Sequence, residues 1–317
     1  MKPVPPLLAL PVAVLGLLAC GWWLPDYLGL LRAMLIIAIF ALSYDLLQGH
    51  AGIVSLGHAV FFGLGAYTVA ILGSLGITEP LLTLLAACVL TALVAGVLAP
   101  IVVIGNDLTR LLVTLGIGFL FHEVANQLRG LTGGADGLST FEVGAIVGWL
   151  PFDFFGQTAF FWTLLGLIIA WLLVWRITHS PFGLALAGLR ENTLRMHAVG
   201  SPVARHRAVA YMLSGSLAGM AGAMLAQTSN FASLDMLGFE RSAEIMIITA
   251  LGGSGSMAGV VLGSALFVWM KDALSALSPK YWQLGLGLAL MASVFVLPQG
   301  LAGLVRRPAC GDGGKNP

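Results

Sequence analysis

Long apolar runs separated by short polar interruptions set the pattern of this chain. The runs lie near residues 7–24, 31–47, 54–75, 81–104, 108–128, 157–177, 208–227, 242–274 and 281–297. Most are about 18–24 residues long, the length a helix needs to cross a hydrocarbon core of about 30 Å. Alternating ten-residue segments of the barrel type are absent, so the spans are predicted to be helical. One run departs from the rest: 242–274 is too long for a single untilted span and is interrupted by Leu251-Gly-Gly-Ser-Gly-Ser-Met-Ala-Gly259. Glycine costs about 1 kcal/mol per residue inside a helix, so two helices or half-helices turning back at 252–255 are expected. A second glycine-rich interruption begins at Gly49-His-Ala-Gly52 and runs on to Tyr67. Both interruptions carry Gly-x-x-Ser, as Gly52…Ser55 and Gly253…Ser256. Matching broken segments in two halves point to an internal repeat of the transporter kind. Close packing of small residues between membrane helices would leave the same short pattern.

Composition sharpens the class. Of 317 residues, 58% are hydrophobic and 9% charged, with a mean hydropathy of +0.96, whereas a soluble domain carries about 25% charged residues. Lipid must therefore solvate the exterior. The 41 glycines suggest close helix packing and broken helices. The net charge of +1 is less informative than its distribution. Arg176, Arg190, Arg195, Arg205 and Arg207 crowd one stretch that holds a single acid, Glu191, and positive charge between spans marks a cytoplasmic loop. That loop also reads as a helix, with Ser180 as N-cap, Pro181 at the first helical position and Gly200 as the stop. A structured basic helix suits a docking partner; a topology-setting loop would look the same.

Lys2, the basic loop, and Arg306, Arg307 and Lys315 should share the cytoplasmic side. Six crossings from a cytoplasmic N-terminus reach the loop correctly, but three more would strand the basic tail outside. Splitting 242–274 into two crossings removes the conflict. The stretch 129–156 then lies on the opposite face. Cys20, Cys88 and Cys310 have no metal-ligand or redox spacing, so no disulfide framework is expected. Leu17-Leu-Ala-Cys20-Gly looks like a lipoprotein cleavage box behind a signal-like start. The apolar run continues through Trp22, Trp23 and Leu24, which favours a first membrane helix.

Taken together, four blocks resemble the permease subunits of ATP-binding-cassette importers for branched-chain amino acids, most closely the M-type permease. They are the segment 41–67 from Ala41-Leu-Ser-Tyr-Asp45 through His50 and His58 to Tyr67, Leu131-Thr-Gly-Gly-Ala-Asp-Gly-Leu138, Ser180-Pro-Phe-Gly183 with Arg190-Glu-Asn192 and Gly200, and Glu244 onward through Leu251-Gly-Gly-Ser-Gly-Ser256. The resemblance covers roughly 31–304. It implies an all-α, polytopic bundle of about 8–10 spans with broken helices and an internal inverted repeat, forming one permease domain over 1–317 in a bacterial inner membrane. It also implies that 184–199 is a coupling helix seated in a groove of a cytoplasmic ATPase. Arg190, Glu191 and Asn192 would form its polar rim, Leu186, Leu189 and Leu194 its apolar anchors, and Gly200 would close this coupling segment. Met196, Leu234 and Val260 depart from the family pattern.

Asp45, His58 and Glu123 sit in or beside apolar spans, where an unpaired charge costs at least about 2.5 kcal/mol. They either line a translocation path or lock helices through buried hydrogen bonds. Ser55, Gly57, Ser254 and Ser256, near helix breaks, would give a zwitterionic substrate backbone dipoles and small walls without fixed charge. Nothing in the sequence looks catalytic: the chain has no phosphate-binding loop, so it binds no cofactor and ATP belongs to partner subunits. Its histidines lack zinc-enzyme spacing. His179, His197 and His206 read as interface or lipid-headgroup residues, and nucleic acid is not an expected partner. The expected partners are a second related permease, two ATPases, a periplasmic or extracellular substrate-binding protein and the bilayer. Other cargoes of the same class, such as urea, short amides or other amino acids, stay open. So does an ion-coupled secondary carrier using Asp45 or Glu123.

Overall fold

The computed structural model describes residues 27–305 apart from 104, 147, 149, 151–155, 279 and 297–299. The expected first span, Cys20, Cys310 and the basic tail lie outside these residues. In order, the helices are α1 (Leu28–Asp45, continued by a π-helical turn, Leu46–His50), α2 (Ala59–Ser74), α3 (Pro80–Val103), α4 (Asp107–Gln127) and α5 (Arg129–Thr132). They continue with α6 (Gln157–Thr178), α7 (Pro181–Glu191), α8 (Thr193–Ala198), α9 (Val203–Ser229), α10 (Phe239–Gly252), α11 (Met257–Leu277), α12 (Trp282–Val296) and α13 (Leu301–Val305). Among the described residues, six helices are long and apolar enough to cross a membrane, and α2 is a shorter apolar one. The chain is an all-helical, multi-pass membrane protein. Helices satisfy their own backbone groups where no water is present, which makes this the natural outcome for such a sequence.

The predicted spans that fall within the described residues agree with the observed helices to within five residues at each end. The 54–75 run yields only the 16-residue α2, because 51–58 stays unwound. The long 242–274 run divides, as the glycines predict, into α10 and α11, with the break at 253–256. Contacts between helix ends define the two ends of the bundle. At one end Asp45 meets Gly255, Arg190 meets Gly49, and the turn between α3 and α4 adjoins α8. At the other, Arg32 Nη1 donates to the Thr228 carbonyl at 3.1 Å, and Leu138 pairs with Ala232. The basic loop and the 129–146 segment therefore occupy opposite ends. Both glycine-rich breaks reach the same end of the bundle, where Asp45 Oδ1 accepts the Gly255 N–H.

The core is a seam of small residues along α9. A Cβ added at Gly65 would fall on the Gly219 backbone, and one at Gly222 on the Phe62 carbonyl. Such approaches let α9 lie backbone-to-backbone against α2, with Thr91 of α3 filling the space beside Gly219. A buried Gln227 fastens the far end: its Nε2 donates to the Pro80 carbonyl at 2.7 Å and to Thr83 Oγ1 at 3.0 Å. Its Oε1 accepts from Trp162 Nε1 at 2.8 Å. One side chain thus joins α3, α6 and α9 with its polar atoms satisfied, as an amide in the interior requires.

Candidate functional site

Two unwound segments and the basic loop converge at one end of the bundle. After the π-helical turn of α1, Gly52 (φ 68°) turns the chain back into the protein. The unwound stretch needs outside partners for its backbone donors. The Leu56 N–H donates to Thr114 Oγ1 at 3.1 Å, and the Ala59 N–H to Ser242 Oγ at 2.9 Å. Gly57 packs directly on the Thr114 carbonyl, leaving no room for a side chain. Helices α4 and α10 thus hold the first break in shape. In the second break, Gly253 (φ 95°) and Gly255 (φ 86°) take conformations that favour glycine. Ser256 then caps α11, accepting from the Gly259 N–H at 3.3 Å.

The two breaks touch through Asp45. Its Oδ1 accepts the Gly255 N–H at 2.7 Å, and its Oδ2 faces His50 Nδ1 at 3.7 Å. The carboxylate is fully buried. Gly49 makes the approach possible, since a Cβ there would stand 2.6 Å from the Gly255 nitrogen and overlap the Asp45 carboxylate.

The basic loop meets the same point. Ser180 caps α7 by accepting the Gly183 N–H at 3.3 Å, with Pro181 at the first helical position. The single helix expected over 184–199 is in fact two. Asn192 is extended (φ −156°), and its Oδ1 accepts the Arg195 N–H at 2.9 Å, ending α7 and starting α8. A capping asparagine competes with helix continuation, which is why the helix divides there. Gly200 (φ 81°) follows α8 as the stop. Met196 folds back on Gly188, so this departure from the family pattern serves packing between α7 and α8.

Arg190 does not simply point outward. Its Nη1 donates to the Gly49 carbonyl, its stem lies against Gly52, and its guanidinium lies beside Gly255. One arginine therefore touches both breaks while the rest of the residue stays exposed. Leu186 and Leu189 are 0% and 1% exposed, so they anchor α7 to its own protein and offer no area to a partner. The apolar surface left facing outward comes from Leu184, Leu194 and Val199, with Leu194 at 81% exposure. Glu191 and Asn192 are exposed beside them.

The remaining predicted positions separate into three groups. Asp45, Ser254 and Ser256 belong to the meeting of the breaks. Ser55, Gly57 and His58 lie deeper and are fully enclosed. His58 Nε2 pairs with Ser43 Oγ at 3.0 Å, and Ser214 Oγ donates to the Ser43 carbonyl at 2.6 Å. Phe40, Tyr44 and Phe61 surround the imidazole. These contacts lock α1, α2 and α9. Glu123 stands apart on the exposed side of α4, where its Oε1 accepts from Gln127 Nε2 at 2.7 Å. Ser242, Thr114 and Gln227 escaped sequence reading because single hydroxyls and amides in apolar runs carry no spacing signal. Among the described residues, no three His, Cys, Asp or Glu side chains gather as a metal site would require.

Comparison with known proteins gives the family. Residues 27–295 match the family described as branched-chain amino acid transport system / permease component. The chain is 28% identical over 298 residues to the high-affinity branched-chain amino acid transport system permease protein LivM of Escherichia coli (strain K12), covering 86% of this chain and 69% of that protein. It is 28% identical over 250 residues to the autoinducer 2 import system permease protein LsrD of Photorhabdus luminescens, covering 75% and 72%. No solved structure matches. With two glycine breaks gathered beside a basic loop and a family match spanning nearly all of the described helices, the chain belongs to the permease components of the branched-chain amino acid transport systems.

Proposed function

We propose that this chain is the membrane-spanning subunit of an ATP-driven importer and forms part of the translocation path for branched-chain, hydrophobic amino acids. Its partners on this reading are a related second permease, two cytoplasmic ATPases and a substrate-binding protein, in the inner membrane of a bacterium. The observation that carries the reading is Arg190. It sits on the exposed basic loop and reaches both unwound segments, so displacement of the loop by a docked ATPase pulls on both breaks together. Glu191, Asn192, Leu184, Leu194 and Val199 form the outward surface for docking, and Gly200 ends it. Ser55, Gly57, Ser254 and Ser256 supply backbone dipoles and small walls near the breaks, suited to a zwitterion with an apolar side chain.

A second cargo has a specific observation behind it: relatives named for autoinducer 2 import match most of this chain. Reconstitution in vesicles separates these readings. Uptake of leucine should require the second permease, both ATPases, ATP and a loaded binding protein, and should persist with proton and sodium gradients collapsed. Uptake of autoinducer 2 but not leucine would change the cargo. Gradient-driven accumulation by the purified single chain would overturn the ATP-driven assignment.

A further inference from the structure

We propose that a basic pocket at the loop end of the bundle binds the phosphate of an acidic phospholipid headgroup. The pocket, of about 440 Å³, opens between the α3–α4 turn, α8 and the first turns of α9. Val103, Asp107, Arg110, Thr193, His197 and Arg207 supply most of its wall. Arg110 and Arg207 are only 5% and 8% exposed. Arg110 Nη1 donates to Asp107 Oδ1 and Nη2 to the Gly105 carbonyl, both at 2.8 Å. Arg207 Nη2 donates to Thr193 Oγ1 at 2.9 Å. The Nε of each arginine is buried without a partner.

The charges facing this pocket do not balance. A guanidinium stays protonated in any protein environment, and a buried charge is costly unless paired. Two such groups lie within electrostatic reach of each other. Among the lining residues the one carboxylate is Asp107, which pairs with Arg110 at 2.8 Å and leaves Arg207 without a carboxylate of its own. An anion with several acceptor oxygens would satisfy the remaining donors, and the planar fork of arginine suits phosphate.

Position points to a lipid as the source of that phosphate. The pocket lies at the ends of three membrane helices, on the face that the arginines mark as positive. Basic pockets between helices on that side suit anionic headgroups. Leu108 and Leu112, one turn apart, are exposed on the face of α4 turned away from Asp107 and Arg110, so that helix carries lipid-facing surface as well as the pocket wall. Because the wall includes Thr193 and His197, a bound headgroup would brace α8 against the α3–α4 turn. The inference rests on membrane placement alone and holds for any cargo.

The full chain, purified in detergent and mixed with equal amounts of phosphatidylglycerol and phosphatidylcholine, tests this by native mass spectrometry. The wild type should retain phosphatidylglycerol in preference, and Arg207→Gln should lower that preference by about fivefold, the share of one arginine near a membrane surface. Thr193→Asp is the safer variant. It places a fixed carboxylate beside Arg207 in the first turn of α8, where an acid is favoured, so the protein should melt no lower while the preference disappears. Equal retention of both lipids by the wild type, or an undiminished preference in Thr193→Asp, would overturn the proposal. Stabilisation by inorganic phosphate equal to that by phosphatidylglycerol would assign the pocket to a soluble anion instead. Loss of ATPase binding in Arg207→Gln without any lipid preference in the wild type would assign it to an acidic side chain of that partner.

Discussion

Asp45 shows how one buried carboxylate can fix the relation of two distant parts of a chain. It lies 210 residues from the glycine whose N–H it accepts, and no other side chain makes that bond. Asp45→Asn keeps an oxygen in place to accept the Gly255 N–H, so melting in detergent should fall little. Asp45→Ala leaves the N–H without a partner, and a buried unsatisfied donor costs about 1–3 kcal/mol. Thermal unfolding followed by size-exclusion should therefore rank the wild type and Asp45→Asn close together and Asp45→Ala clearly lower. Equal loss in the two variants would mean that the charge, not the hydrogen bond, is what the fold needs. The polarity of Asp45 was evident in the sequence, but its partner was not. The same holds for Arg190, whose contact with Gly49 spans 141 residues. A helical pattern gives the spacing of Leu186, Leu189 and Leu194 without saying which face turns inward, and the expected anchors proved to be mostly internal.

At the scale of elements, apolar length and glycine density were enough to place most spans and the break in 242–274, because both are local properties. The division of the loop helix was not visible, since a single asparagine at 192 is compatible with a continuous helix until its side chain finds the Arg195 N–H. Removing the cap tests whether it creates the bend. Asn192→Ala replaces a capping residue with the best helix former, a change worth about 0.5–2 kcal/mol at an N-cap. With spin labels at the exposed positions Leu184 and Val199, the label separation should lengthen toward about 22 Å, the span of fifteen rises of a continuous helix. An unchanged distance would show that packing of Met196 on Gly188 sets the angle, and that the cap merely accompanies it.

For the whole molecule, the arrangement of ends makes a sidedness prediction. Single cysteines at the exposed positions Asp136 and Arg195 should react with an impermeant maleimide from opposite sides of sealed vesicles, with Arg195 on the cytoplasmic side. Labelling of both from one side would reject the topology. The neighbouring Gly134 is poorly suited to a label: its φ is 57° and a Cβ there would press on the Arg129 stem.

The glycine seam along α9 has a mechanical meaning. Helices in backbone contact at Gly65, Gly219 and Gly222 have no layer of side chains to shear, so α2 and α9 move as one block, a stator, with α3 keyed to it by the Thr91 side chain against Gly219. Conformational work must then fall to the parts joined to it by single polar contacts: the unwound 51–58, the 253–256 turn and α10–α11. Hydrogen exchange of the chain in nanodiscs, with and without its ATPases and nucleotide, should show slow, unchanging protection along α9 and α2. The nucleotide-dependent change should concentrate at the two breaks. A large response within α9 itself would mean that the seam opens, and that the stroke is a separation of helices rather than a swing against a fixed frame.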